Sequence, residues 1–422
     1  MLVSDYNYEL PEDRIAKFPP KERGSTRLLV LNRKTGEIQD SYYRNLDDFL
    51  NPGDVLILND TRVMSSRLFC ELPDGRKREL VVLEKHGNEP QRVMYRGKLH
   101  EGDKLVIANA QEQSTKESVG GYDRDRRSVP PVTTGGHDSV SAVDCFRCVI
   151  EIKRILGNGI AEVESDTPLA ELAEKYGTVP LPPYLHRDAT DDDKKRYQTV
   201  WAKNMGSAAA PTASLNMTDE LLERLRRKGV IIKYLTLHVG LGTFLPIRSD
   251  KIEDHKMHSE WYNIPEDTLE AIKDITRVGD GHGRGPQNVL QATGRDIFFE
   301  GGPEPGKARS SASRPWRRAG WTRPEKKIFD HPRVVALGTT VARTLEYYAK
   351  TGKTSGEDDI FIYPGFDFKL VDALITNFHA PKSTVLMLAS AFAGWEHLKN
   401  AYDHAIKEQY QFLSYGDSML IC

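Results

Sequence analysis

Residues 218–239 read TDELLERLRRKGVIIKYLTLHV, and the spacing of the apolar residues changes once inside that stretch. Leu221, Leu222 and Leu225 recur at helical intervals, Thr218 stands where an N-cap oxygen is wanted, and Gly229 supplies the stop. The β-branched run after the glycine predicts a strand. Helix followed at once by strand is the unit of an α/β layer. The same grammar returns downstream. RVVAL (333–337) is a strand, Gly338-Thr339-Thr340 a turn, and VARTLEYYAKTG (341–352) a helix. LVDALITNFH (370–379) is a mixed apolar segment, while KSTVLMLASAFAG (382–394) and HLKNAYDHAIKEQ (397–409) have helical spacing.

Upstream the pattern differs. RLLVLNRKTGEIQDSYY (27–43) alternates and turns at Lys34-Thr35-Gly36 as a hairpin, and DVLILND (54–60) is a short buried strand. From about Val63 to Val163 come short β-type pieces: SSRLFCEL, RELVVLEK, QRVMYRG, DKLVIAN, FRCVIEIKRI and IAEVES. Their close spacing predicts a small barrel or sandwich. TPLAELAEKYG (167–177) then reads as a helix capped by threonine and stopped by glycine, and VPLPPYL (179–185) excludes helix through its three prolines. The expected fold is therefore an α/β main domain, 1–62 and 164–422, with an inserted β domain, 63–163, of barrel or sandwich form. Two polar, aperiodic segments interrupt it: 111–139 as a flexible surface loop, and 278–327, rich in Gly, Pro, Arg and Ser, as a disordered insertion.

The chain has 422 residues, 39% apolar and 28% charged, with a formal net charge of −2. That excludes a globally basic nucleic-acid binder, though a local basic patch suffices for RNA. No run of eighteen apolar residues and no signal-like amino terminus is present, so the expectation is a cytoplasmic protein with no membrane partner. Four cysteines are too few for a disulfide framework, and the Cys145/Cys148 pair has no second pair to complete a zinc site.

Glycines after a strand let backbone amides approach a ligand, and a helix start presents uncompensated N–H groups. Gly240, Gly242 and Thr243 follow one strand; Gly338, Thr339 and Thr340 follow another. Neither completes a dinucleotide fingerprint or a P-loop. His238, His255, His258 and Glu260 are acid–base candidates. The i, i+3 histidines would share a helical face, but no third metal ligand is recognisable, and no metal is expected. Asn377, His379 and Lys382 end a buried segment, a frequent place for a pocket. No G-x-S-x-G elbow or nucleophilic cysteine supports covalent hydrolysis.

Over most of its length the chain resembles the S-adenosylmethionine:tRNA ribosyltransferase-isomerases of queuosine biosynthesis. The motifs, in order, are YELPEDRIAKFP, ERGSTRLLVLNR, LNDTRVMSSRL, VPLPPYL, RYQTVWAKNMGSAAAPTA, TLHVGLGTF, HKMHSEW, GTTVARTLE, IYPGFDFKLVDALITNFHAPKSTVLMLASAFAG and YGDSMLI. Segments 111–139 and 278–327 stand outside the resemblance. It implies an α/β domain with a barrel insertion. It also implies transfer of the ribosyl portion of S-adenosylmethionine to 7-aminomethyl-7-deazaguanine at a tRNA wobble position. The product is epoxyqueuosine, with adenine and methionine released, and no cofactor beyond that donor. The sulfonium acidifies the C5′ hydrogens, so a base forms an ylide. Elimination then loosens adenine, the substrate amine attacks C1′, and epoxide closure expels methionine. Implied places for proton transfer are His238, His258, Glu260, Asp372 and His379. The donor's pocket is implied at Thr212, Asn216, Gly240, Gly242, Thr243, Gly338, Thr339, Thr340 and Asn377. Arg14, Lys17, Arg23, Arg62 and Arg343 are implied phosphate contacts for a tRNA with a GUN-type anticodon. A monomer is expected.

One stretch departs from the family pattern. Where Ala-Gly-Leu-His-Phe is usual, this chain has Ala213-Ser214-Leu215-Asn216-Met217. Asn216 cannot take up a proton as imidazole does, Met217 lacks an aromatic face for stacking, and Ser214 replaces a residue suited to positive φ. The alternative expectation is thus a catalytically impaired relative that binds tRNA or nucleoside without turnover. An ordinary methyltransferase lacks support, since the early glycine-rich strand–turn of such folds is missing.

Overall fold

The computed structural model describes residues 1–83, 90–107, 148–157, 159–240, 247, 249–278 and 331–422. Segment 111–139 and nearly all of 278–327 lie outside the described residues.

In the amino-terminal part, β1 (Arg27–Leu31) and β2 (Ile38–Tyr42) form the expected hairpin, followed by β3 (Val55–Asn59) and β4 (Thr61–Val63). Next come β5 (Arg67–Glu71), β6 (Lys77–Val82), β7 (Arg92–Arg96), β8 (Lys104–Ile107), β9 (Val149–Gly157) and β10 (Ile160–Ser165). These six close into a barrel in the order β10-β7-β6-β5-β8-β9, antiparallel at every junction. Alternation explains its interior: Leu68 and Cys70 of β5 point inward with Leu80, Val93, Leu105 and Ile150. Burial pushes the Cys70 thiol up to about 12, which leaves it inert. Cys148 packs against the same core, and Cys145 lies outside the described residues.

After the barrel run α1 (Leu169–Tyr176), α2 (Asp191–Arg196), β11 (Asn204–Ser207), α3 (Asp219–Lys228), β12 (Ile231–Leu237), β13 (Glu260–Asn263) and α4 (Glu266–Val278). Then follow β14 (Val334–Leu337), α5 (Thr339–Thr351), β15 (Ser355–Asp358), β16 (Ala373–Asn377), α6 (Thr384–Ala393), α7 (Trp395–Lys407) and β17 (Ser418–Ile421). Thr218 caps α3 by accepting from the Leu221 amide, and Gly229 ends it at φ +93°. In α1 the expected threonine cap is corrected: Pro168 holds the N-cap position and makes no side-chain cap. The sharp entry set by its φ of −52° places Thr167 outside the helix.

The main sheet has nine strands in the order β15-β13-β12-β3-β14-β16-β17-β1-β2. At its centre β12, β3, β14 and β16 are mutually parallel. β3 is buried along its whole length, and its successive side chains enter different cores. Val55 and Ile57 face the core built by Leu345, Leu386 and Leu398 of α5, α6 and α7. Leu56 and Leu58 face the core that receives Leu221, Leu222 and Leu225 of α3. Both faces of the central strands are therefore covered, which is what a continuous apolar run without alternation requires. Because four neighbours point the same way, their carboxyl ends gather at one edge, the usual place for a ligand crevice in an open α/β sheet.

Candidate active site

A cleft occupies that edge, enclosing about 720 Å³ of space that is continuous with open solvent. Three segments build most of its wall: Pro211–Ala213, Gly338–Thr340 and Thr376–Ala380. Each follows from local structure. Gly338 ends β14 at φ +102°, a conformation that costs a side-chain-bearing residue dearly, and so lets α5 begin in the next residue. With no side chain to cap that helix, its first-turn amides face the cleft uncompensated. Asn377, 2% exposed, is held by the Thr212 hydroxyl, which donates to Oδ1 at 2.8 Å.

His379 leaves β16 into the same cleft. Its ring Nε2 lies 2.8 Å from Thr376 Oγ1. Its backbone is fixed independently: the amide donates to Tyr402 Oη at 2.9 Å, and its carbonyl accepts from the Tyr8 hydroxyl. Burial drives the imidazole down to about 3, so it is neutral near pH 7 and a weak base.

A second cavity of about 340 Å³ adjoins the first through Thr339, Thr340 and Val385, which line both. Glu260 and Arg343 stand in its wall. Arg343 Nη1 is 2.8 Å from Glu260 Oε2, and its Nε is 3.3 Å from Asp358 Oδ1. Arg343 Nη2 also donates to the His258 carbonyl at 3.1 Å. The Gly240 amide donates to the other Glu260 oxygen at 2.7 Å. One cation thus sits between two buried carboxylates. Burial pushes Asp358 up to about 6, against the opposing pull of Arg343.

These positions sort the residues singled out by sequence. Of the proton-transfer candidates, His379 lines the first cavity and Glu260 the second. His238 instead stacks on Trp261 at 5.2 Å, with Nδ1 2.8 Å from Thr61 Oγ1. Gly206 is needed there, since a Cβ would come within 2.7 Å of the imidazole. His258 is exposed, and 255–259 is not helical, so the helical-face argument for paired histidines fails. His255 turns its edge to Phe361, and burial lowers its pKa. Asp372 is corrected: it precedes β16, and its carboxylate accepts from the Val334 amide at 3.0 Å, at the opposite end of the strands. Five residue steps along the strand separate it from Asn377, roughly 16 Å.

Thr212, Gly338, Thr339, Thr340 and Asn377 all line the cleft, and Gly240 stands beside Glu260. Gly242 and Thr243 lie outside the described residues. Asn216 is corrected: 2% exposed and on neither cavity wall, it donates to Gly416 O at 3.0 Å and Ser418 Oγ at 3.1 Å. Met217 is fully buried beneath the sheet, where no base could stack on it. Ser214 sits in a 3-10 turn and needs no positive φ. Arg343 is corrected as a phosphate contact, being 5% exposed and engaged by two carboxylates. Arg14 pairs with Asp13, Lys17 Nζ lies 3.1 Å from Glu12, and Arg23 donates to the Gln198 carbonyl at 3.0 Å. Arg62 is exposed on β4, beside Met205 of β11, which is 52% exposed.

Sequence reasoning passed over Asp358, Thr376 and Thr384. Thr376 carried a usable signal, its place three residues before His379 at a strand end. Asp358 is the middle residue of the acidic run Glu357–Asp359, which looks like a solvated face.

Fold and cleft define an α/β protein with a barrel insertion and a two-chambered cleft at the carboxyl ends of parallel strands. The family model for queuosine biosynthesis protein matches residues 3–281 and 325–421, unbroken across 111–139 and interrupted within the second polar segment. The chain belongs to the queuosine biosynthesis protein family. It is 44% identical to an S-adenosylmethionine:tRNA ribosyltransferase-isomerase of Pelodictyon phaeoclathratiforme, covering 100% of both chains. Relatives of the same name from Chlorobium phaeobacteroides and Chlorobaculum parvum are 43% and 42% identical, again over 100% of each chain. A solved S-adenosylmethionine tRNA ribosyltransferase from Thermotoga maritima is 26% identical, covering 99% of this chain and 100% of its own, with a TM-score of 0.46.

Proposed function

We propose that this chain transfers and isomerises the ribosyl moiety of S-adenosylmethionine onto 7-aminomethyl-7-deazaguanine at the wobble position of a tRNA with a GUN-type anticodon. It does so in the cytoplasm, as a monomer, releasing adenine and methionine. The observation that carries this reading is the end-to-end likeness to relatives bearing that name, and the stretches of this chain that carry the family resemblance include segments that wall the cleft.

Within that reading the side chains divide the work. Neutral His379, with Thr212 and Asn377, offers hydrogen bonds to the departing purine. Glu260 is the proton acceptor for C5′, since it stands on a cavity wall with its charge held in place by Arg343 and the Gly240 amide. Thr339, Thr340 and the open first turn of α5 hold the donor's polar parts. Arg62, with Arg14, Lys17 and Arg23 as weaker contributors, meets tRNA phosphate, and Met205 offers an apolar surface to a splayed base. His238 positions the strand ends rather than touching substrate. The departure at Asn216 and Met217 lends no weight to an impaired relative, because neither residue reaches the cleft.

The test is incubation of purified protein with precursor-bearing tRNA and donor labelled in either the ribose or the methyl group. Label from the ribose enters the tRNA, with adenine and methionine formed in equal amounts. Methyl label in the tRNA would mean ordinary methyl transfer instead.

A further inference from the structure

The second cavity has a composition of its own. Two helices begin on it: α5, of 13 residues, through Thr339 and Thr340, and α6, of 10 residues, through Thr384 and Val385. The first-turn amides of each lack carbonyl partners within the helix and carry partial positive charge. Ser383 caps α6 through the Leu386 amide alone, farther along the turn. Thr384 is 5% exposed, and its Oγ1 is buried with no hydrogen-bond partner among the described residues. Thr340 Oγ1 is likewise buried and unpartnered. A hydroxyl left so costs stability unless a ligand satisfies it. The remaining wall is apolar, with Ile360, Phe361, Ile362 and Leu388, and Glu260 stands at its charged side.

An anion-seeking floor, an apolar channel with one aromatic ring, and a nearby carboxylate match an L-α-amino acid with a linear sulfur-bearing side chain. Resting on the donor named under the proposed function, we infer that this cavity is the methionyl subsite. The donor's α-carboxylate lies at the paired starts of α5 and α6, on the hydroxyls of Thr340 and Thr384. Its methylene chain and sulfonium run past Phe361, whose ring face attracts a sulfur cation. The nucleoside then lies in the larger cavity. Excess negative charge in the Glu260–Arg343–Asp358 cluster favours the sulfonium and its α-ammonium there.

Equilibrium dialysis tests the division without turnover. Thr384→Val trades the hydroxyl for a methyl of equal size and weakens S-adenosylmethionine about ten- to a hundredfold, the cost of one buried hydrogen bond to a charged group. Thr384→Ser keeps the parent affinity, and adenosine binds both variants as it binds the parent. On the unsubstituted chain, decarboxylated S-adenosylmethionine binds at least about tenfold more weakly than the intact donor. Equal affinity of the parent for those two donors, an unchanged donor affinity in Thr384→Val, or an equal loss for adenosine overturns the assignment. Absence of donor binding to the parent defeats the ribosyl-transfer reading itself, an outcome distinct from each of these.

Discussion

His379 gives a prediction that separates its protonation from its place in the fold. Its ring is depressed from the ordinary 6.5 to about 3 by burial at the end of β16. As acid is added, the unfolded chain takes up this proton first. The neutral-form contribution is complete above about pH 6.5 and is lost as pH falls towards 3, below which it no longer changes. Across that window the slope is one proton, about 1.4 kcal/mol per pH unit. Between pH 7.5 and 5.0 the sum is about 2 kcal/mol. His379→Gln keeps a donor and acceptor near Thr376 but cannot titrate, and the loop survives because Tyr8 and Tyr402 hold its backbone rather than its ring. Urea unfolding of parent and variant at the two pH values therefore gives a parent that loses about 2 kcal/mol more than the variant on acidification. Equal losses would show that the ring titrates normally in the fold. His379 would then return to candidacy as a proton acceptor near neutral pH.

Three further outcomes follow from the geometry. Asp54→Ala strands the guanidinium of Arg333, paired at 2.6 Å with both partners at most 1% exposed, and lowers stability by about 3–5 kcal/mol in denaturant titration. Glu260→Gln keeps the shape of the Arg343 contact but removes both the proton acceptor and the excess charge of the cluster, so kcat falls by about 10²–10⁴ and donor affinity in dialysis weakens as well; an unchanged kcat places the base elsewhere. Asn216→His combined with Met217→Phe leaves turnover within about twofold, since one side chain ties Gly416 and Ser418 and the other fills the core; a large gain would revive the impaired-relative reading.

Where structure depends on neighbours in sequence, the chain was open to direct reading. Thr218 and Gly229 bound α3 as their chemistry demands, Lys34-Thr35-Gly36 turns the first hairpin, and alternation such as Leu68/Cys70 announces a barrel interior. Chemistry at the cleft is set differently. Asp372 and His379 are seven residues apart in one apolar motif, yet a strand carries one to each end of the sheet, so proximity in sequence misplaces the first. Arg343 looked available for phosphate because its helix is otherwise an ordinary amphipathic one. Only pairing of β13 with β15 brings Glu260 opposite Asp358, in direct register, and only packing of α5 over that pair inserts the guanidinium between them. Two carboxylates facing each other across a dry sheet edge repel, and one buried cation offsets that repulsion. The arginine is therefore bound into the wall by the same long-range strand pairing that builds the second cavity, and no local period could have announced it.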